Sequence, residues 1–347
     1  PQPKARSPRE LVQASPGRIA PEGAGPVYDE AGLVKNLPSV YGIKIKRKDE
    51  KMRLASIKPD DLAVVRNGHL LPIGEVLAQQ GALPRGASMI DLIARYDAVK
   101  DSISKAVEKG SPLKLDPQKL KPPVERPSKI WAAATNYKRG STGLDDARGR
   151  GTAGSATPEE ILERTFLKPP SAIVGPEEDI IIPKGAETIF PELELCVVIG
   201  KKSRNISKAQ AFDAVFGYTI ILDVTARGYG SGKGMAGSRC VRKGFETFAP
   251  IGPWITTKDE IKDPHNLMMR LWVNDEIRQS AKTDAMVNDI AVLVSYLSQV
   301  STLYPGDLIA TGNPDAPAFQ KQLVPGDTLK AEIEGIGVMN LGVKGAA

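Results

Sequence analysis

Strict alternation of apolar and polar residues predicts a strand over residues 192–199, ending at Gly200. Because successive side chains of a strand point to opposite faces, Glu192 and Glu194 share one face. The apolar residues of the other face are predicted to be buried: Leu193, Leu195, Val197 and Ile199. A mostly apolar run over residues 217–227 predicts a second, buried strand, with Asp223 and Arg227 near its end.

A small α/β module is predicted between residue 52 and about residue 120. Asn67-Gly68 between the apolar segments 62–66 and 69–73 is a strong signal for a type I′ hairpin. Ser88 and Asp91 have the spacing of a capping box at a helix start, and Gly110 marks the helix end. The apolar stripe of this helix recurs at helical spacing: Ile90, Ile93, Tyr96, Val99, Ile103 and Val107.

Three segments are predicted along the chain. Residues 1–51 are rich in Pro and Gly, lack clear periodicity and are interpreted as an irregular N-terminal extension, either an appendage or the segment after a cleaved signal. Residues 52–127 hold the small module and a Pro-rich linker. Residues 128–347 alternate short strands with Pro-Gly-Asp turns and carry two predicted helices, near 207–215 and 286–300. The fold class is therefore expected to be α+β and mainly β.

Composition excludes several classes of protein. The chain of 347 residues is 41% apolar, which suffices for a large core, and no run of about 18 apolar residues predicts a membrane span. Two cysteines, Cys196 and Cys240, give no disulfide framework, so a reducing compartment, the cytoplasm, is expected. Residues 1–51 hold ten Lys and Arg against six Asp and Glu, so four of the six excess positive charges lie there. The remaining charge is dispersed, which argues against nucleic-acid binding.

The two strand glutamates are the candidate chemistry. Their Cα atoms lie about 7 Å apart, two strand rises, and two like charges at that spacing are unfavourable unless a cation lies between them. One hypothesis is a divalent metal site, and the alternative is a half-exposed strand whose wet face carries two glutamates. Asp223 in a buried strand must likewise be paired or coordinated, so it is either a third metal ligand or the ion-pair partner of Arg227.

Over residues 128–344, the chain resembles the fumarylacetoacetate hydrolase superfamily. The resemblance is carried by an ordered series of segments: Asn136-Tyr137, residues 166–176, the Glu192/Glu194 strand, residues 223–227, 243–254, 273–279, 303–309, 311–314 and 324–327. It implies a mixed β-roll for residues 128–347, Mg²⁺ or Mn²⁺ on Glu192, Glu194 and Asp223, and a homodimer. It also implies a 2-oxo or 2,4-dioxo carboxylic acid as substrate, of the acylpyruvate type met in the catabolism of aromatic compounds.

The resemblance also suggests roles for nearby polar residues. In the family, the lysine that corresponds to Lys243 lies near the metal and stabilises developing oxyanion charge. Lys243 is therefore a predicted catalytic residue. Three carboxylates around one dication leave excess negative charge, so Lys168 and Arg227 are predicted to help bind an anionic substrate. Asn313 takes the place of a threonine in the family's Thr-Gly-Thr-Pro motif and is a predicted substrate contact.

One expected feature is missing from the sequence. Family hydrolases carry a histidine and a glutamate shortly after the Asn-Tyr pair, and these positions are Gly140 and Gly143 here. The family's glutamine after the Asp223 motif is Gly230. The Gly-rich segment 140–154 is predicted to be a mobile lid, and Asp145 or Asp146 within it is the predicted general base.

Three functions are therefore hypotheses. The favoured one is metal-dependent hydrolysis of a C–C bond in an acylpyruvate-type acid, expected to be weak without the dyad. A lyase is the second, with oxaloacetate-type decarboxylation or related tautomerase or hydratase chemistry. A non-catalytic binder of metal and 2-oxo acid is the third.

Overall fold

The structure is a computed structural model that describes residues 52–138, 157–186, 188–227, 238–314 and 321–347. The described residues form a mixed fold with more strand than helix, as predicted. The strands are β1 (Arg53–Ile57), β2 (Asp61–Arg66), β3 (His69–Pro72), β4 (Leu113–Lys114), β5 (Ile130–Ala132), β6 (Phe166–Lys168), β7 (Ile173–Val174), β8 (Asp179–Ile182), β9 (Thr188–Phe190), β10 (Leu193–Ile199), β11 (Val215–Leu222), β12 (Thr225–Arg227), β13 (Ala249–Thr257), β14 (Met268–Val273), β15 (Glu276–Lys282), β16 (Leu308–Ala310), β17 (Thr328–Ile333) and β18 (Gly337–Gly345). The α-helices are α1 (Gly74–Gln79), α2 (Met89–Ala94), α3 (Tyr96–Lys109), α4 (Pro158–Glu163), α5 (Ala211–Ala214), α6 (Arg239–Arg242) and α7 (Ile290–Val300). None of these helices is long and apolar enough to span a membrane.

The hairpin and capping predictions for the N-terminal part are confirmed. β2 and β3 pair across Asn67 and Gly68, whose φ angles of 49° and 73° are both positive, as a type I′ turn requires. The Ser88 side chain accepts from the Asp91 N–H while the Asp91 side chain accepts from the Ser88 N–H. The single predicted helix is wrong, because Arg95 leaves helical geometry at φ −115° and ψ 8° and divides the stripe between α2 and α3.

One large sheet carries most of the core. Within the described residues it has eleven strands, in the order β4-β3-β2-β1-β13-β11-β10-β16-β5-β6, with β7 paired to β13. β1 pairs with β13, so the N-terminal strands continue this sheet, and the predicted boundary at residues 127 and 128 stays a prediction.

β10 is a central strand that is covered on both faces. Leu193, Leu195, Val197 and Ile199 lie in one buried cluster, whereas Cys196 and Val198 lie in another on the opposite side. The alternative of a half-exposed strand is therefore wrong, because residues of the N-terminal module and of β16 cover the second face as well.

Two smaller sheets complete the described fold. β12 pairs with β9, and five strands form a second sheet in the order β15-β14-β17-β18-β8. The predicted strand over residues 217–227 is thus two strands, because β11 ends at Leu222 and the chain continues into β12 of another sheet. The predicted helix near 286–300 is α7, and the one near 207–215 is a 3₁₀ turn followed by α5.

Candidate metal centre

The centre lies where two strand pairs part. β10 and β11 pair in the large sheet, whereas β9 and β12 pair in a two-stranded sheet. Glu192 lies between β9 and β10, and Asp223 lies between β11 and β12. The Asp223 N–H donates to the Glu192 carbonyl at 2.8 Å, so the two residues are fixed side by side at the fork.

Three carboxylates converge there. Oxygen atoms of Glu192, Glu194 and Asp223 all lie within 4.8 Å of one another. The side chains of Glu192 and Asp223 are 14% and 2% exposed, and Glu194 is 1% exposed. Thr225 donates its hydroxyl to Glu192 Oε1 at 3.0 Å, and the Gly312 N–H donates to Glu194 Oε2 at 2.6 Å.

Two buried lysines balance these charges. Lys243, which follows α6, places Nζ 2.8 Å from Glu192 Oε2 and donates to Asp223 Oδ2. Lys168, at the end of β6, places Nζ 2.7 Å from Asp223 Oδ1 and donates to the carbonyl of Lys243. The alternative ion pair between Asp223 and Arg227 is not formed, since the two lysines are the ion-pair partners of Asp223.

The pKa values of Glu194 and Asp223 are shifted in opposite directions. Burial raises the pKa of Glu194 well above its usual value, and the neighbouring Asp223 and Glu192 raise it further. Burial also acts to raise the pKa of Asp223, but Lys168 and Lys243 outweigh it and leave the pKa below its usual value. Among the described side chains, no ammonium group pairs with Glu194, so it is the carboxyl of the centre whose charged form is least favoured without a further cation.

The two lysines also differ from each other. Burial lowers the pKa of Lys168, and its pairing with Asp223 does not fully offset that effect because Lys243 is also close. Burial acts to lower the pKa of Lys243 as well, but Asp223 and Glu192 together raise it above its usual value. Lys243 is therefore held as the ammonium ion of the centre.

Buried amides hold the loop that supplies the Gly312 N–H. The Asn136 side chain, fully buried, donates to the carbonyls of Asn288 and Thr311 and accepts from the Asn288 N–H, each at 2.9 Å. Gly312 has φ 91°, and a Cβ there would lie 2.9 Å from Asn136 Cβ, so only glycine fits. The Gln279 amide bonds both the N–H and the carbonyl of Leu193 and fixes the start of β10.

The other two residues predicted to contact the substrate are Arg227 and Asn313. Neither takes part in the ion pairs described above between the carboxylates and the two lysines. Arg227 places its guanidinium 4.8 Å from the centre of the Phe190 ring. Among the described residues, none accepts from Arg227 Nε or from Asn313 Nδ2, although both atoms are buried. Buried donors of this kind are costly unless something accepts from them, so both suit contacts to an oxygen-bearing ligand.

The two histidines of the chain take local roles away from these carboxylates. His69 Nδ1 lies 2.9 Å from the carbonyl of Asn67 in the hairpin turn, and His265 Nε2 accepts from the Ile290 N–H at the start of α7. The predicted base, Asp145 or Asp146, and the altered positions Gly140, Gly143 and Gly230 lie outside the described residues.

The sequence analysis names the segments but assigns no role to four positioning groups, which are Thr225, Asn136, Gln279 and the Gly312 N–H. Thr225 stands two residues after Asp223, a spacing that was visible in the sequence. The other contacts join residues from 86 to 175 positions apart, so only the fold brings them together.

The donor set fits a hard divalent cation. Three carboxylates with converging oxygens are the ligands that Mg²⁺ and Mn²⁺ prefer. The Lys243 ammonium already bridges Glu192 and Asp223, which shows that this space accepts a cation between them.

Comparisons with known proteins agree with this arrangement. Residues 129–344 match the family model described as fumarylacetoacetate (FAA) hydrolase C-terminal. Maleylpyruvate hydrolase of Aquipseudomonas alcaligenes is 32% identical over 296 residues, covering 84% of this chain and 99% of the relative. The mitochondrial oxaloacetate tautomerase FAHD2A of Bos taurus is 35% identical over 270 residues, covering 76% of this chain and 81% of the relative.

A solved structure extends the similarity to the fold. Maleylpyruvate hydrolase from Sphingobium sp. SYK-6, in complex with manganese(II) and pyruvate, superposes with a TM-score of 0.70 at 33% identity. The match covers 85% of this chain and all of that one, so the predicted fold type is confirmed. With its family model matched over more than half its length, the chain belongs to the fumarylacetoacetate hydrolase family.

Proposed function

We propose that the protein is a divalent-metal-dependent enzyme that acts on 2-oxo or 2,4-dioxo carboxylic acids. The observation that carries the proposal is the buried convergence of three carboxylates within 4.8 Å, bridged by an ammonium group. Glu192, Glu194 and Asp223 would hold Mg²⁺ or Mn²⁺. Such an ion supplies Lewis-acid polarisation of the substrate's keto oxygen.

Four side chains around the three carboxylates are assigned the other roles in binding and catalysis. Lys243 holds a proton beside Glu192 and Asp223, where it can stabilise negative charge that develops on a substrate oxygen. Lys168 is fully buried against Asp223 and the Lys243 carbonyl, so its main effect is to orient both groups. Arg227 and Asn313 contribute buried donors for the substrate's oxygens.

The first candidate reaction is hydrolysis of a C–C bond in an acylpyruvate-type acid. The maleylpyruvate hydrolases among the relatives support it. Hydrolysis needs a base for the attacking water, and we assign this role to Asp145 or Asp146, from the sequence alone.

The placement of the histidines favours a second candidate. Both histidines of the chain are engaged in turns and caps, so this chain offers no imidazole base to the centre. Keto–enol conversion or decarboxylation of an oxaloacetate-type acid needs no water nucleophile, and a relative at 35% identity is an oxaloacetate tautomerase.

A paired assay separates the candidates. Loss of enol absorbance from an acylpyruvate, keto–enol conversion of oxaloacetate and CO₂ release from oxaloacetate are measured with and without Mg²⁺ or Mn²⁺. Glu194→Ala should abolish whichever activity is found and weaken Mn²⁺ binding, whereas Glu332→Ala, on the half-exposed β17 surface, should change neither. Asp145→Ala with Asp146→Ala should remove hydrolysis only. Metal binding that survives in Glu194→Ala would refute the assignment of the centre.

A further inference from the structure

Leu193 separates Glu192 from Glu194, so its backbone sets the spacing of these two carboxylates. In an antiparallel ladder, the N–H and C=O groups of successive residues point to alternate edges of the strand. The Glu192 carbonyl accepts from the Asp223 N–H on the β11 edge of β10. The N–H and carbonyl of Leu193 therefore point to the opposite edge, where β10 pairs with β16.

β16 ends before it reaches Leu193. Its pairing with β10 covers residues 196–198, and the Thr311 N–H adds a hydrogen bond to the Leu195 carbonyl. The chain then turns at Gly312, whose φ is 91°. Among the described strands, none pairs with Leu193 on this edge, although Leu193 is fully buried. Its N–H and carbonyl therefore need another partner.

The Gln279 side chain takes the place of the missing strand. Its amide donates to the Leu193 carbonyl at 2.7 Å and accepts from the Leu193 N–H at 3.1 Å, as a peptide group of a neighbouring strand would. Gln279 is 1% exposed, so water does not compete for these bonds. The amide thus holds both peptide groups that lie between Glu192 and Glu194.

A β-bulge directs Gln279 to this strand. Gln279 lies opposite Leu271 in β14, but the next residue of β14 is paired with Ile277. Arg278 is therefore an extra residue in β15, and bulges of this kind bend a strand and redirect its side chains. The five-stranded sheet thus supports the centre through one amide, although none of the three carboxylates belongs to it.

Rigidly held ligands discriminate between cations that differ in their geometric demands. Mg²⁺ requires near-ideal octahedral geometry with short bonds, whereas Ca²⁺ accepts longer bonds and a variable number of oxygens. Release of the backbone between Glu192 and Glu194 should therefore weaken the binding of Mg²⁺ more than that of Ca²⁺.

We propose that Gln279 is a positioning residue that shifts the preference of the carboxylate centre towards Mg²⁺ and away from Ca²⁺, because it holds Glu192 and Glu194 at a fixed spacing. The amide acts through the backbone of Leu193 and contacts neither cation nor substrate. The inference rests on the proposed function, since it takes the three carboxylates as ligands of a divalent cation.

The test measures cation binding rather than activity. Free Mn²⁺ is followed by electron paramagnetic resonance, and Mg²⁺ and Ca²⁺ are titrated as competitors to give their dissociation constants. Gln279→Met keeps the length of the side chain and removes both hydrogen bonds. It should weaken Mg²⁺ binding by about 10-fold or more, as is typical when a group that orients a ligand is lost, and Ca²⁺ binding by less than about threefold. Gln279→Asn, whose amide is too short to reach Leu193, should act in the same direction and replaces Gln279→Met if that variant does not fold.

A matched control and the opposite outcomes complete the test. Gln79→Met removes an exposed amide that bonds to Glu75 in the N-terminal module, and it should leave both constants unchanged. Equal weakening of Mg²⁺ and Ca²⁺ binding in the Gln279 variants would overturn the inference, because the amide would then serve folding alone, and so would two unchanged constants.

The proposed function is judged separately from the role of Gln279. It fails, and this inference with it, if the wild type binds none of the three cations or if Glu194→Ala binds them equally well. Cations that bind to the wild type but not to Glu194→Ala support the proposed function even where the Gln279 variants overturn the inference.

Discussion

Replacing Asn136 by alanine should destabilise the fold and loosen the centre together. The change leaves three buried groups without their partner: the N–H and carbonyl of Asn288 and the carbonyl of Thr311. Each costs about 1–3 kcal/mol when buried and unsatisfied, and partial relaxation reduces the sum, so we expect a loss of about 3–5 kcal/mol. The same change releases the turn at Gly312, whose N–H holds Glu194.

Urea unfolding followed by circular dichroism measures the first effect, and Mn²⁺ titration of the folded variant measures the second. Asn340→Ala is the matched control, since the Asn340 amide makes one exposed bond to Glu177 and should cost well under 1 kcal/mol. A loss below about 1 kcal/mol for Asn136→Ala, with unchanged Mn²⁺ affinity, would refute the idea that this amide supports the centre.

Two further substitutions separate charge from orientation. Lys243→Ala should lower kcat by about 100-fold or more while the Mn²⁺ affinity changes far less, because the ammonium group is assigned to charge that develops in the reaction. Steady-state kinetics measure kcat, and a metal titration measures the affinity. Equal losses in kcat and in Mn²⁺ affinity would indicate a purely structural role. Lys168→Met should lower the free energy of unfolding in urea by about 3–5 kcal/mol, as expected when a buried ion pair loses one partner. A free energy of unfolding equal to that of the wild type would mean that Lys243 alone is a sufficient partner for Asp223.

Local patterns predicted local structure well. The Asn67-Gly68 turn and the Ser88 cap depend on backbone conformations that nearby side chains dictate, so they could be predicted directly. Alternation in β10 predicted the strand but not its burial, because the cover on its second face comes from segments far away in the chain. The break after Leu222 was missed because an apolar run does not show that its end belongs to another sheet.

The same limit applies to the centre. Charge and burial left a metal site as one of two alternatives for the glutamate pair and for Asp223, and the family resemblance implied it; the structure brings all three carboxylates together. The ion pairs of Asp223 with Lys168 and Lys243 could not be predicted from spacing, which favoured Arg227 as the nearer partner.

The point where the strand pairs β10–β11 and β9–β12 separate also affects which parts of the centre can change during evolution. Glu194 belongs to a strand whose amides should exchange with solvent only on global unfolding, because both of its faces are buried. Lys243 instead follows α6, a helix of four residues with no buried side chain of its own, so this segment should open locally at a lower free energy than β10 does. Mutations in α6 can therefore shift Lys243 while the strand that carries Glu194 keeps its structure.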